Sequence, residues 1–155
     1  MGSSELFEKV KRIQIVACGT SLHAGRVAAN WLSAIAGIPT QVDYASEYRY
    51  RSHPDVQGEG IIVISQSGET ADTLAALSNA KKRNIKSLAI VNVLESSISR
   101  LADAKVLTLA GPEIGVASTK AFTSQVITLN LINLFLSQTK GVNRLKINKS
   151  VSYTQ

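Results

Sequence analysis

Short runs of β-branched and aliphatic residues alternate along the chain with stretches whose apolar positions recur every three or four residues. Ile13-Gln14-Ile15-Val16-Ala17 is the first run; it stops at Gly19 and predicts a strand. From Ala24 onward, Val27, Ala28, Trp31, Leu32 and Ile35 trace a helix that ends at Gly37 and Pro39. Residues 40–44 predict a second strand, and 45–51 one or two helical turns. Gly60-Ile61-Ile62-Val63-Ile64 is continuously apolar, as in a strand covered on both faces. A helix follows, with Ala71, Leu74 and Ala75 on one face and Lys81-Lys82-Arg83 in its last turn, where cations suit the helix dipole. Residues 87–91 predict a fourth strand, 97–102 a short helix, 105–109 a fifth strand and 118–138 a long helix. Neither an internal repeat nor a low-complexity segment is visible.

Strands alternating with helices imply a parallel sheet with right-handed crossovers. The expected fold is α/β: one doubly wound, five-stranded parallel sheet with helices on both faces. A single domain is expected over 12–139, with an N-terminal extension or expression remnant at 1–11 and a basic tail or linker at 140–155. Sheets of this kind bind ligands beyond the carboxyl ends of their strands, at the switch point of strand order. The chemistry is therefore expected just after residues 17, 64 and 109.

Each of those places carries a loop rich in Gly, Ser and Thr that leads into a helix. They are Cys18-Gly19-Thr20-Ser21, then Ser65-Gln66-Ser67-Gly68-Glu69-Thr70, then Gly111-Pro112-Glu113-Ile114-Gly115-Val116-Ala117-Ser118-Thr119-Lys120. The middle loop offers three hydroxyls, one amide and the backbone N–H groups of a helix start, a set suited to an anion. It contains no Lys or Arg, so a phosphate there is held by neutral donors and the helix dipole. Neither the Gly-x-x-x-x-Gly-Lys-Ser/Thr nor the Gly-x-Gly-x-x-Gly pattern occurs. A lone Ser or Thr before a helix is an ordinary cap; three such loops at converging strand ends favour an anion or sugar site. Cys18 reads as a small buried residue or a backbone contact to the ligand, because a thiol nucleophile needs a base and His23 is the only histidine near it in sequence. His53 is expected in solvent. Glu69 is open between general base and helix-terminus stabiliser, and Lys120 between anion partner and surface lysine.

Composition narrows the class. The 155 residues are 45% hydrophobic and 18% charged, which excludes a disordered chain, and 5% aromatic, so Val, Ile, Leu and Ala must build the core. The single cysteine excludes an internal disulfide and multi-cysteine zinc cages. The net charge is +6, but no acid follows Glu113, while Lys120, Lys140, Arg144, Lys146 and Lys149 do; the excess belongs to the end of the chain. No nucleic-acid motif accompanies it, so nucleic acid is not an expected partner. The apolar stretch 121–136 is too short to span a bilayer and contains Gln125, Asn130 and Asn133. It is read as a buried helix, and the protein as cytoplasmic with no membrane partner. Its apolar residues Val126, Ile127, Leu129, Leu131, Ile132, Leu134, Phe135 and Leu136 cover more than one face, so a second surface is expected against it.

The three loops resemble the sugar isomerase (SIS) domain. The stretch 111–123 and Ala45-Ser46-Glu47-Tyr48-Arg49-Tyr50-Arg51 further resemble the first SIS domain of the glutamine–fructose-6-phosphate aminotransferases, which make glucosamine 6-phosphate for amino-sugar (hexosamine) biosynthesis. The resemblance covers about residues 12–139 and implies a flavodoxin-like sheet and a phosphosugar ligand, fructose 6-phosphate or glucosamine 6-phosphate. It places Ser21, Ser65, Gln66, Ser67 and Thr70 on the phosphate. Val116, Ala117 and Ser118 fall on the sugar, with the backbone of Cys18, Gly19 and Thr20 nearby. No cofactor or metal is implied. The implied partners are a second SIS domain, a glutaminase domain and a second copy of the chain.

The resemblance also has gaps. Those enzymes carry a glutaminase domain with a terminal cysteine nucleophile. A second SIS domain and a tail supply the acid/base glutamate, the ring-opening histidine and the Schiff-base lysine. None has a matching position here, so an excised or truncated domain with no catalytic residue of its own is expected. The alternatives are a stand-alone dimeric isomerase using Glu69, Glu113 or His23, and a non-catalytic phosphosugar sensor. A flavodoxin-like nucleotide binder is a fourth reading. A sensor normally carries a DNA-binding helix-turn-helix, and 11 residues before the first strand cannot form one.

Overall fold

The computed structural model describes residues 9–54, 56–111 and 119–141. The apolar runs form β1 (Arg12–Ala17), β2 (Thr40–Tyr44), β3 (Glu59–Ser65), β4 (Lys86–Val91) and β5 (Ala104–Leu107). All pair in parallel in one sheet of order β2-β1-β3-β4-β5. The connections are α1 (Gly19–Ala34), α2 (Ala45–Tyr48), α3 (Ala71–Lys82) and α4 (Ser97–Leu101), and α5 (Thr119–Thr139) follows β5. The doubly wound fold expected from the sequence is the fold observed.

Alternate residues of the central strands feed two cores. Ile13, Ile15, Ile62, Ile64, Leu88 and Ile90 point toward α1 and α5. Val16, Ile61, Val63, Ala89 and Val91 point toward α2, α3 and α4. Gly25 lets α1 lie close on β1, since a Cβ there would stand 2.8 Å from the Ile15 Cγ2 methyl.

Four expectations are corrected. The first helix starts at Gly19, inside the loop expected over 18–21. Its first turn is polar because it faces a cavity, and apolar periodicity cannot register such a turn. The fifth strand ends at Leu107, not 109. Its partner β4 ends at Val91, opposite Leu107, and beyond it the Asn92 carboxamide oxygen accepts from Ala110 N (2.8 Å) and the Thr108 hydroxyl (3.1 Å) in place of ladder bonds. Leu109 turns out at a φ of 52°, 81% exposed. His53 is half-buried rather than solvated: its ring lies 3.9 Å from that of Tyr48, and its Nε2 is 2.7 Å from the Tyr48 carbonyl.

The fourth correction concerns α5, which is only half covered. It packs along α1, and its buried face mixes Ala121, Leu129 and Leu136 with Gln125, Thr128, Asn133 and Ser137. Ile127, Leu131 and Phe135 are exposed. An apolar groove of about 290 Å³ runs between this helix and β4–β5, with Leu88, Val106, Leu131 and Phe135 in its walls. Among the described residues, no helix is long and apolar enough to cross a membrane.

Candidate functional site

The strand order reverses between β1 and β3. α1 leaves β1 toward one face of the sheet and α3 leaves β3 toward the other, so their N-termini diverge above the strand ends. A cavity of about 350 Å³ opens there, lined by Cys18, Gly19, Thr20, Ser21, Ile64, Ser65, Gln66, Ser67, Thr70, Ala121 and Gln125. These lining residues include no charged side chain. Neither N-cap residue, Cys18 for α1 or Thr70 for α3, caps its helix through its side chain. The first-turn N–H groups of both helices therefore have no cap at an opening lined with hydroxyls, and a helix N-terminus favours an anion. The loop after β3 is closed internally instead: Ser65 Oγ accepts from Gly68 N (3.0 Å) and lies 2.9 Å from the Thr70 hydroxyl, and Ser67 Oγ accepts from Glu69 N (3.1 Å).

Three contacts fasten that loop to its neighbours. Ile98 N donates to the Gly68 carbonyl (3.0 Å), Ser97 N to Glu69 Oε1 (2.7 Å), and Asn92 N to the Gln66 carbonyl (3.1 Å). The Asn92 side chain then reaches the loop after β5, donating to the Gly111 carbonyl at 2.8 Å. One residue thus joins the loops after β3, β4 and β5.

The SIS domain family model matches residues 6–134, most of the chain. The chain belongs to the SIS domain family. It is 60% identical over 141 residues to the glutamine–fructose-6-phosphate aminotransferase (isomerizing) of Pseudomonas putida, a match covering 90% of this chain and 23% of that protein. The chain thus spans less than a quarter of the length of the curated relatives it matches. The C-terminal domain of the glucosamine-fructose-6-phosphate aminotransferase from Francisella tularensis superposes with a TM-score of 0.90 at 47% identity, covering 97% of this chain and 43% of that one. The Vibrio vulnificus NanR protein, solved in complex with ManNAc-6P, shares the fold alone, with a TM-score of 0.70 at 24% identity over 97% of this chain and 56% of that one.

In this SIS domain the structure brings together eight of the expected site residues: Cys18, Gly19, Thr20, Ser21, Ser65, Gln66, Ser67 and Thr70. Val116, Ala117 and Ser118 lie outside the described residues, as does Glu113. Cys18 is partly buried, with its Sγ 3.9 Å from the Thr73 hydroxyl. His23 is exposed on α1 and does not line the cavity. Glu69 turns neither along its own helix nor toward the cavity; it holds the first N–H of α4. Gln125 was not expected in the site, yet it lines the cavity while 2% exposed, and its amide oxygen is buried without a hydrogen-bond partner. An orphaned buried acceptor costs roughly 1–3 kcal/mol. The available sign was its register: Gln125 lies one turn from Ala121 and Leu129, on the buried face.

The Glu69 contact should be visible in acid. The hydrogen bond from Ser97 N holds the Glu69 carboxyl below its ordinary pKa. A depressed carboxylate stabilises the fold above its unfolded pKa, and that contribution is lost as pH falls through the folded value. Glu69→Gln mimics the protonated acid. The parent should therefore melt higher than Glu69→Gln near neutral pH, with the gap closing below about pH 4. A gap that stays constant from pH 7 to pH 3 would contradict this role.

Proposed function

We propose that the chain is the phosphosugar-binding half of the isomerase region of a glutamine–fructose-6-phosphate aminotransferase, taking fructose 6-phosphate or glucosamine 6-phosphate. The observation that carries this reading is the pairing of two helix N-termini, neither capped by a side chain, at one hydroxyl-lined cavity. Ser65, Ser67, Thr70, Ser21 and the Gln66 amide donate to the phosphate, with backbone N–H groups completing the cradle. Val116, Ala117 and Ser118 take the sugar. The site works without a cofactor, in the cytoplasm. A second SIS domain, a glutaminase domain and a second copy of the chain are the partners, and the exposed row Ile127, Leu131 and Phe135 on α5 gives them an apolar surface to cover.

The chemistry needs more than this cavity offers. Converting the ketose requires a group to carry it as an imine and an acid/base to move a proton between its first two carbons. Among the described residues, none that lines the cavity is a lysine, a histidine or a carboxylate, and Glu69 is engaged with α4. Binding without turnover is expected, even with excess ammonia. Fructose 6-phosphate should shift the amide signals of residues 65–70 and fructose should not. Ser67→Ala should weaken binding by roughly 1–2 kcal/mol, one hydrogen bond to a charged group. An equal response to fructose and its phosphate would refute the site. A rate of glucose 6-phosphate formation above buffer that vanishes in Glu69→Gln would favour a stand-alone isomerase.

A further inference from the structure

The Ser and Thr hydroxyls and the helix N-termini account for a phosphate, but they leave the opposite wall of the cavity without a ligand partner. That wall is the first stretch of α5, where Ala121 and Gln125 face inward four residues apart. Gln125 is 2% exposed and its Oε1 is buried with no partner, whereas Ser65 and Ser67 already have hydrogen-bond partners within their loop. An amide oxygen only accepts hydrogen bonds. A phosphate dianion also only accepts, so it cannot satisfy this oxygen, whereas a sugar hydroxyl can. Gln125 lines the cavity, and the last torsion of a glutamine side chain is soft, so its carboxamide can reorient toward a ligand without moving the helix.

We propose that Gln125 is a further sugar-contacting residue of this site, its amide oxygen accepting a hydrogen bond from a hydroxyl of the bound phosphosugar. The inference rests on the phosphosugar reading above and adds to it the polarity of the second wall. Gln125 thereby discriminates a phosphorylated polyol from phosphate alone. A residue kept only for packing would behave otherwise, because an orphaned polar group destabilises the fold until its ligand arrives.

The test compares the 155-residue chain with Gln125→Met, an apolar side chain of similar length. Titration with fructose 6-phosphate and, separately, with inorganic phosphate gives the two affinities; melting without ligand gives stability. The variant is expected to bind fructose 6-phosphate about tenfold more weakly, as for one lost hydrogen bond, and inorganic phosphate within about twofold of the parent. It is expected to melt no lower than the parent. In the parent itself, the Gln125 side-chain carboxamide signal should shift with fructose 6-phosphate and stay in place with inorganic phosphate, a readout that does not depend on the variant folding. Unchanged affinity for fructose 6-phosphate, or an equal loss for both ligands, overturns the role of Gln125 and leaves the phosphosugar site standing. A parent that binds neither ligand overturns both.

Discussion

Gly68→Ala will dismantle the loop after β3. Gly68 has a φ of +69°, and a Cβ there would fall 2.0 Å from the Ser96 Oγ and 2.4 Å from its Cβ. Ser96 cannot easily retreat: it is 1% exposed, its hydroxyl donates to the Val93 carbonyl at 2.8 Å, and α4 begins at the next residue. A left-handed alanine costs roughly 1–2 kcal/mol before any clash. Displacing packed neighbours adds a similar amount, so a loss of about 3 kcal/mol or more is expected. Urea denaturation measures it, and the proposed binding of fructose 6-phosphate should vanish with it. Gly141→Ala is the control: its φ is +64° but nothing stands within 4 Å of the added Cβ, so only the backbone cost should appear. Equal effects at the two sites would show that the Ser96 contact does not matter.

Asn92→Ala should be the next most damaging change. It removes the bonds to Gly111 O, Ala110 N and the Thr108 hydroxyl together. At roughly 1 kcal/mol for each, the expected loss is about 2–3 kcal/mol. The bond from Asn92 N to Gln66 belongs to the backbone and survives, so the loop after β3 stays tethered while the loop after β5 is released. Asn92→Asp keeps the acceptor and loses only the donor to Gly111, and should fall between the two. A denaturation midpoint for Asn92→Ala equal to that of the parent would remove Asn92 as the fastener.

The two substitutions also mark the limit of what the sequence alone makes legible. The strands were readable because Ile61, Ile62, Val63 and Ile64 are buried on both faces, and a continuous β-branched run has few other uses. The hydroxyl loops were readable because their position in this topology follows from the alternation of elements. Asn92 and Gln125 were not readable in the positions they take, and Glu69 was readable as an acid at a helix N-terminus but not at that of α4. Each depends on a partner brought close only by folding: the loop after β5, the start of α4, the far wall of the cavity. The long helix misled for a related reason. Its apolar content pointed to a second surface against its outer side, and Ile127, Leu131 and Phe135 do face out, but it was read as a buried helix and gave no sign that Gln125, Thr128, Asn133 and Ser137 would take the buried positions. Asn133 is wholly buried with both amide atoms unpartnered, and periodicity gives no sign of that.

The departure of α1 and α3 to opposite faces has a bearing on how such a domain diversifies. The opening exists because of how the chain is wired, and two partial positive charges flank it whatever side chains stand there. Residues that line the opening sit in the loop after β3, at the end of that strand and on the first turns of α1 and α5, while the isoleucines and valines that fix the wiring sit in the strands beneath them. Replacing a lining hydroxyl that has no packed neighbour can therefore alter what fits the opening while the strands beneath keep their packing, whereas a residue such as Gly68, wedged against Ser96, cannot be changed so freely. The wiring that creates the opening and the side chains that line it can therefore vary separately.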